Sequence, residues 1–194
     1  MLEEKGVLVH RKGYMHSYPI CERCKNPIVF RATSQWFISM EKTGLRDRAL
    51  EVIPKVQWIP ARGQQRIQSM VETRPDWCLS RQRIWGLPIV AFYCKSCEHP
   101  LVEQDVINHV ADIFETDGAD VWYTRKASEL LPEGTKCPKC SGTEFEQETD
   151  IVDVWFESGV SYAAVMENMY GEDTVVDLYL EGSDQHRGWF HSAL

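Results

Sequence analysis

Six of the seven cysteines in this 194-residue chain are arranged as three Cys-x2-Cys pairs. The pairs are Cys21 with Cys24, Cys94 with Cys97, and Cys137 with Cys140. In a reducing compartment such pairs are more typical of metal ligands than of disulfides. Each pair presents two thiolates on a tight turn, and two pairs complete a tetrahedral zinc site. The pattern therefore predicts one structural zinc site and leaves one pair unmatched.

The expected zinc ligands are Cys94, Cys97, Cys137 and Cys140, with the intervening residues inserted between two halves of a ribbon. Four thiolates would close the site, because no coordination position is then left for water. Two alternatives stay open. Either one of the two pairs does not coordinate the metal, or His99 replaces one of the four thiolates as a ligand.

The remaining cysteines have less certain roles from sequence. In this chain Cys21 and Cys24 are expected to be reduced surface thiols, although a further pair upstream in a longer protein would complete a second site. Cys78 is expected to be a small buried residue rather than a nucleophile, because no neighbouring residue supplies an activating base.

The composition predicts a globular cytoplasmic protein of one or two domains. Hydrophobic residues make up 43% and charged residues 26%, and the formal net charge is −8. The sequence contains no apolar run of about 18 residues and no signal-peptide pattern, so we expect no membrane association. The negative charge argues against a free-standing module that holds nucleic acid by charge alone.

Periodicity predicts a mixed α/β fold. Helical spacing of apolar residues predicts helices over 45–53, 64–71, 101–114 and 161–170, and one or two short helices over 119–131. Alternating or continuous apolar residues predict a ribbon of short antiparallel strands at the beginning, ending in a strand through Val29, Phe30 and 36–38, and further strands over 87–93 and 175–180. Both ends of the chain look cut, as in a piece of a longer protein.

The segment DVWFESG is predicted to be a strand on which Asp153, Trp155 and Glu157 share one face. A tryptophan flanked by carboxylates at a strand end is suited to wall a small-molecule pocket. The alternative is that Trp155 belongs to the core and the acids are solvated.

The segment YLEGSDQHRGWF is predicted to be a strand, a glycine turn and a helix, the half-unit of a parallel α/β sheet. Glu181 would end the strand, where such sheets bind ligands, and Asp184 and Gln185 would face the same opening. Trp189 would cover the same helical face one turn later. Carboxylates and an amide suit ribose hydroxyls or an ammonium group. His186 and Arg187 would donate to a phosphate or form ion pairs on the helix.

The segment RPDWCLSRQRIWGLP combines three arginines with two tryptophans. Arginine stacked on tryptophan either binds nucleic acid or braces a core, and the motif alone does not decide between them.

Taken together and in this order, the segments HSYPICERCKNPIVFRATSQWFISM, RPDWCLSRQRIWGLPI, VDVWFESG and YLEGSDQHRGWFHS resemble the isoleucyl-tRNA synthetases, a family of class I aminoacyl-tRNA synthetases. The resemblance covers essentially the whole chain. It implies part of a split Rossmann-type catalytic domain with an inserted zinc-ribbon connective element. The implied regions are 1–71, the end of the connective insertion; 72–150, a catalytic strand with the zinc ribbon; and 151–194, part of the second half of the Rossmann domain.

The resemblance also implies roles for individual residues. Glu181 matches the family's adenylate-binding glutamate, with Asp184 and Gln185 beside it, and Trp155 and Trp189 match the tryptophans around the isoleucine side chain. The cysteine pairs at 94/97 and 137/140 match one zinc site of the zinc-bearing members, and the pair at 21/24 matches half of a second. Isoleucine, ATP with Mg²⁺, tRNA(Ile) and the remaining synthetase domains are the implied substrates and partners.

The chain contains neither a HIGH nor a KMSKS motif, and it lacks the editing pocket that the family carries. We therefore expect the isolated chain to be inactive as a synthetase, because the groups that stabilise charge at the phosphates are missing. Two rival functions remain: a non-enzymatic zinc-ribbon module that binds RNA or protein, and a valyl- or leucyl-tRNA synthetase fragment.

Overall fold

The structure is a computed structural model that describes residues 1–178 and 180. The chain divides into two compact units, Met1–Ser34 and Gln35–Leu194. No helix in the described part of the chain is long and apolar enough to cross a membrane.

The Met1–Ser34 unit is mostly irregular and exposed. Its paired backbone is limited to an isolated antiparallel bridge between Ile20 and Pro27, on either side of the first cysteine turn. The predicted ribbon of strands is therefore wrong for this unit. Val29 and Phe30 stay exposed, and a two-stranded ribbon without a buried face is only marginally stable.

The described part of the Gln35–Leu194 unit contains seven α-helices and seven short strands. The helices are α1 (Leu45–Val52), α2 (Arg62–Glu72), α3 (Gln104–Asp117), α4 (Val121–Thr124), α5 (Ala127–Leu130), α6 (Val154–Gly159) and α7 (Asn168–Tyr170). The strands are β1 (Phe37–Ile38), β2 (Trp77–Cys78), β3 (Ser80–Arg81), β4 (Phe92–Cys94), β5 (Pro100–Leu101), β6 (Phe145–Gln147) and β7 (Ile151–Val152). A 3₁₀ turn, Ile53–Lys55, follows α1, and a π-helical segment, Tyr162–Glu167, precedes α7. The five helical regions predicted from sequence are confirmed, with small shifts in their ends.

The described strands pair only in antiparallel fashion, in three small sheets. Two sheets are the pairs β1–β2 and β3–β7, and the third has the order β5-β4-β6. The strand predicted over 175–180 is not formed by residues 175–178, which are exposed and have no neighbouring strand within the part of the chain that the structure describes. The protein is thus a mixed α/β structure, as expected.

The largest core belongs to residues 90–147, which we call the four-cysteine lobe. Its buried residues come from the three-stranded sheet, from α3 to α5 and from the cysteine turns: Phe92, Cys94, Leu101, Val106, Val110, Val121, Trp122, Ala127, Leu130, Cys137 and Phe145. A smaller core joins α1 to α2 through Ile53, Ile67 and Val71.

The chain runs into the four-cysteine lobe and out of it through adjacent backbone segments. The Ile89 N–H donates to the Asp150 carbonyl at 3.2 Å, and the Glu148 N–H donates to the Ala91 carbonyl at 2.9 Å. The strand predicted over 87–93 is shorter than expected, because regular pairing begins only at β4. These paired segments lead directly into β7 and α6.

Candidate functional site

The four cysteines expected to bind zinc lie together in the four-cysteine lobe. The Sγ atoms of Cys94, Cys97, Cys137 and Cys140 all lie within 4.8 Å of one another. Sγ of Cys94 is 3.5 Å from Sγ of Cys140, and Sγ of Cys97 is 3.6 Å from Sγ of Cys137. Tetrahedral zinc with Zn–S bonds of about 2.3 Å requires sulfur–sulfur distances of about 3.8 Å. The geometry of the cluster therefore fits a zinc ion.

The backbone at each pair explains how the sulfurs converge. The Cys94 N–H donates to the His99 carbonyl at 3.0 Å, and the Glu98 N–H donates back to the Cys94 carbonyl at 2.8 Å. The turn at Cys137 has the same two hydrogen bonds. The Cys137 N–H donates to the Gly142 carbonyl, and the Ser141 N–H donates to the Cys137 carbonyl, each at 2.8 Å. His99 therefore contributes its carbonyl oxygen to the turn, and its ring is not part of the sulfur cluster. The alternative in which His99 replaces a thiolate is not favoured.

Gly142 allows the two turns to approach each other. A Cβ at this position would lie 3.2 Å from Sγ of Cys94 and 3.3 Å from Sγ of Cys140. A side chain here would crowd the sulfur atoms of the four-cysteine cluster, so glycine is the residue that fits.

The thiols of the cluster influence one another's ionisation. Burial acts to raise the pKa of Cys94, but hydrogen bonds from the backbone N–H groups of Ser96 and Cys97 and from the Cys140 thiol lower it to about 7. The Gly142 N–H acts to lower the pKa of Cys140, but the neighbouring thiols Cys97 and Cys94 raise it to about 12. Within the cluster, the Cys94 thiol is therefore easier to deprotonate than the Cys140 thiol.

The unmatched pair, Cys21 and Cys24, has the same turn as the other two. The Cys21 N–H donates to the Asn26 carbonyl at 2.8 Å, and the Lys25 N–H donates to the Cys21 carbonyl at 2.9 Å. Lys25 is left-handed, with φ of 59°, as the corresponding Glu98 is with φ of 55°. Within the described residues, the four-cysteine cluster is the only group of three or more metal-binding side chains.

The segment that carries Trp155 is a helix, and the prediction of a strand with three residues on one face is wrong. Asp153 is the N-cap of α6, and its Oδ1 accepts from the Trp155 N–H at 3.4 Å. The aspartate cap accepts a hydrogen bond from a backbone N–H at the start of the helix. In a strand, that N–H would have to donate to a neighbouring strand. Trp155 and Glu157, two residues apart on this helix, point to different sides. Trp155 is 37% exposed and Asp153 is only 4% exposed, so the alternative of a core tryptophan with solvated acids is also not supported.

The arginine and tryptophan motif divides into a bracing part and an exposed part. Cζ of Arg74 lies 4.8 Å from the centre of the Trp77 ring, and Arg81 forms an ion pair with Asp153 at 2.7 Å. These contacts brace the fold, the second of the two alternatives from sequence. Trp85, by contrast, is 93% exposed.

Trp85 lines a cavity of about 340 Å³ together with Tyr123, Asp120 and Glu157. Burial, followed by the charge of Asp120, raises the pKa of Tyr123. Cys78, which belongs to the same motif, is half-buried, and its Sγ lies 3.5 Å from Oε1 of Gln35.

Asp153 is the residue that sequence reasoning missed. The sequence pattern groups it with Trp155 as a pocket or surface acid, whereas its carboxylate accepts from Trp77, Arg81 and the start of α6. The signal that could have found it is an aspartate immediately before an apolar helical turn. The other predicted site residues, Glu181, Asp184, Gln185 and Trp189, lie outside the described residues, as do His186 and Arg187.

Comparison with known proteins identifies sequences that are similar to this chain. The family model described as tRNA synthetases class I (I, L, M and V) matches residues 10–194. The isoleucine–tRNA ligase of Geobacter sulfurreducens is 58% identical over 193 residues, covering 100% of this chain and 21% of the relative. Those of Aquifex aeolicus and Aquifex pyrophilus are 56% and 54% identical over 201 and 200 residues, covering 100% of this chain and 21% and 37% of the relatives. The chain thus spans about a fifth of the length of most of these relatives.

Proposed function

The chain belongs to the class I tRNA synthetases (I, L, M and V), and from this premise we propose that it is a segment of an isoleucine–tRNA ligase. The observation that carries the proposal is 52% to 58% identity to isoleucine–tRNA ligases along the whole chain. The ligase would activate isoleucine with ATP and Mg²⁺ to isoleucyl-adenylate and transfer it to tRNA(Ile) in the cytoplasm.

Both rival functions are less well supported. A non-enzymatic zinc-ribbon module gives no reason for a family match that continues through residue 194. A valyl- or leucyl-tRNA synthetase is disfavoured because the relatives described above are all isoleucine–tRNA ligases.

Within the ligase, the chain would contribute substrate-binding groups rather than the complete catalytic apparatus. Glu181, Asp184 and Gln185 would bind the adenylate, and Trp155 and Trp189 would shape the isoleucine pocket. The exposed position of Trp155 at the beginning of α6 supports a role in binding. The fold would be part of a split Rossmann domain, divided at residues 1–71, 72–150 and 151–194 as the resemblance implies.

Zinc would be structural in this protein. Cys94, Cys97, Cys137 and Cys140 would hold it and cross-link the two turns of the four-cysteine lobe. Cys21 and Cys24 would be half of a second site, completed by a pair elsewhere in a longer protein. The shared hydrogen-bond pattern of the three turns supports this proposal.

Isoleucine-dependent exchange of pyrophosphate into ATP tests the proposed function. The assay is made on the full-length protein that contains this chain, with isoleucine, valine and leucine in parallel. We expect the highest kcat/KM for isoleucine. The kcat/KM for valine should be lower by about 10- to 200-fold, because one missing methylene in an apolar pocket reduces kcat/KM by that factor. A preference for valine or leucine, or no exchange with any of the three, would contradict the proposal.

A further inference from the structure

We infer that Asp153 is a positioning residue for the isoleucine pocket, acting through Trp155, an inference that rests on the proposed function. Asp153 follows β7 directly and is itself withdrawn from solvent. Its side chain fixes the direction in which α6 leaves β7, and so the place where Trp155 stands.

The first observation is the number of donors on one carboxylate. Oδ2 of Asp153 accepts from Nη2 of Arg81 at 2.7 Å and from Nε1 of Trp77 at 3.0 Å. Oδ1 accepts from the Trp155 backbone N–H at 3.4 Å. The Asp153 N–H itself donates to the Leu79 carbonyl at 2.8 Å. One residue therefore ties the start of α6 to the segment that runs through β2 and β3.

The second observation is charge. A helix N-cap needs only a hydrogen-bond acceptor, and serine, threonine or asparagine would serve at an exposed helix start. Asp153 is instead a buried carboxylate paired with a partly exposed arginine, Arg81. Burial lowers the pKa of Arg74, and the charge of Asp153 opposes that shift. A buried charge is costly unless it is paired, so Arg81 and the carboxylate hold one another in place.

The third observation is that Trp77 contacts both the N-cap of α6 and a residue within that helix. Its indole N–H reaches Asp153, and its ring packs against the Phe156 ring with centroids 6.2 Å apart. Arg74 covers the Trp77 ring. Asp153, two residues before Trp155, and Phe156, the residue after it, are thus both held by one side chain, so a shift of Asp153 would move Trp155.

A matched control exists at the edge of the four-cysteine lobe. Glu148 is also a partly buried carboxylate that accepts from an indole N–H, that of Trp36 at 2.7 Å, and from the Tyr93 hydroxyl at 2.9 Å. It lies outside α6 and is not among the groups that hold Trp155. Glu148→Gln should therefore affect stability without affecting the isoleucine pocket.

The experiment uses the full-length protein and the pyrophosphate exchange assay, with KM and kcat measured separately for isoleucine and for ATP. Asp153→Asn keeps an acceptor for the helix cap and removes the charge. We expect it to raise the KM for isoleucine by about tenfold, the lower range for losing a hydrogen bond to a charged group. The KM for ATP should change less than about twofold, because the substitution acts on the isoleucine pocket and leaves the binding of ATP unaffected. Asp153→Ala should raise the KM for isoleucine further.

Trp155→Ala distinguishes positioning from general damage. In that background, where the positioned side chain is absent, Asp153→Asn should change the KM for isoleucine by less than about twofold, a non-additivity that marks residues acting as one unit. Thermal unfolding of each variant verifies that it is folded, and Asp153→Asn alone decides the matter if Asp153→Ala fails to fold.

Three results would overturn the inference: an unchanged KM for isoleucine in folded Asp153→Asn, an equal rise in Glu148→Gln, or an equal rise with and without Trp155. If the unmodified full-length protein shows no isoleucine-dependent exchange, the proposed function fails and this inference fails with it. If exchange is present and only the Asp153 variants behave unexpectedly, the inference alone is wrong.

Discussion

Among single residues, Glu148 shows most clearly how a carboxylate stabilises this fold. Burial acts to raise its pKa, but hydrogen bonds from the Asp150 and Thr149 backbone N–H groups, the Trp36 indole and the Tyr93 hydroxyl lower the pKa overall. Burial and the same hydrogen bond to Glu148 raise the pKa of Tyr93 to about 12. The lowered pKa of Glu148 and the raised pKa of Tyr93 share a cause, because the charged Glu148 carboxylate accepts a hydrogen bond from the neutral Tyr93 hydroxyl.

The lowered pKa of Glu148 makes its contribution to stability depend on pH. Because the folded-state pKa lies below the unfolded-state value, the contribution is fully present above the unfolded-state pKa and is lost as pH falls through the folded-state pKa. We expect Glu148→Gln to lower the free energy of unfolding by about 1 kcal/mol near pH 7, discounted for partial solvent exposure. The difference from the unmodified chain should shrink as the pH falls below the ordinary pKa of a glutamate and through the lowered folded-state pKa.

Urea unfolding of the two proteins at several pH values measures this difference. Glu146→Gln is the control, because Glu146 is exposed on the neighbouring strand β6. A constant difference between Glu148→Gln and the unmodified chain from pH 7 to pH 3 would show that the carboxylate charge is irrelevant.

At this scale the cysteine cluster could be predicted from sequence and the contacts of Asp153 could not. Paired cysteines report their chemistry through local spacing alone, because the turn that aligns two sulfurs is built from adjacent residues. Asp153 depends on Trp77 and Arg81, more than 70 residues earlier in the chain. No local pattern announces such a partner.

At the scale of structural elements, the two cysteine turns and the three-stranded sheet form one element if a metal joins them. The four-cysteine lobe has the larger core of this chain but is small for an independently stable domain, so a metal cross-link should supply much of its stability. Removal of zinc with a chelator should unfold residues 90–147 and lower the melting temperature of the chain. Cys94→Ser should have the same effect.

Elemental analysis and thermal unfolding measured together test this expectation. We expect about one zinc per chain at the four-cysteine cluster. Cys21→Ser is the control and should leave that ion bound. Full retention of the melting temperature after zinc is removed would show that packing alone holds the lobe.

The base of the loop that bears Trp85 depends on a close approach between elements. Gly86 has φ of 150°, and a Cβ there would lie 2.5 Å from Cδ1 of the buried Ile151. Gly118 has φ of 81°, and a Cβ there would meet no atom within 4 Å, so its substitution reports backbone strain alone. We expect Gly86→Ala to destabilise the chain by about 1 kcal/mol more than Gly118→Ala, because of overpacking.

Denaturant unfolding of both glycine variants measures that excess. Adding Ile151→Val to Gly86→Ala should recover part of it, since the contacting methyl group is removed. Equal losses in the two single variants would mean that the loop moves away from Ile151 at little cost.

Helices are easier to predict than strands in this chain for a physical reason. A helix such as α2 satisfies its own backbone hydrogen bonds and reveals itself by apolar spacing along 62–72. The strands here are two or three residues long and exist only where a distant segment supplies a partner, as β7 does for β3. Val175 and Leu178 look like strand residues and have no such partner among the described residues.

At the scale of the whole molecule, we expect the chain alone not to catalyse the synthetase reaction. It contains no HIGH or KMSKS segment to stabilise charge that develops on the phosphates. We expect no isoleucine-dependent pyrophosphate exchange above background from the purified chain of 194 residues. The full-length protein, assayed beside it at equal concentration, is the positive control, and exchange by the chain alone would refute this expectation.

The side-by-side hydrogen bonds at Ile89–Asp150 and Ala91–Glu148 have a consequence for how such a protein can change over time. The chain between these hydrogen bonds, residues 92–147, leaves and returns at nearly the same point. The length of that segment therefore does not affect the register of β3 against β7. A lineage could exchange the four-cysteine lobe for a shorter loop, or a designer could transplant another domain there, and the carboxylate of Asp153 would still meet Arg81. The four-cysteine lobe is, in that sense, a module that can be replaced without altering the two strands that carry it.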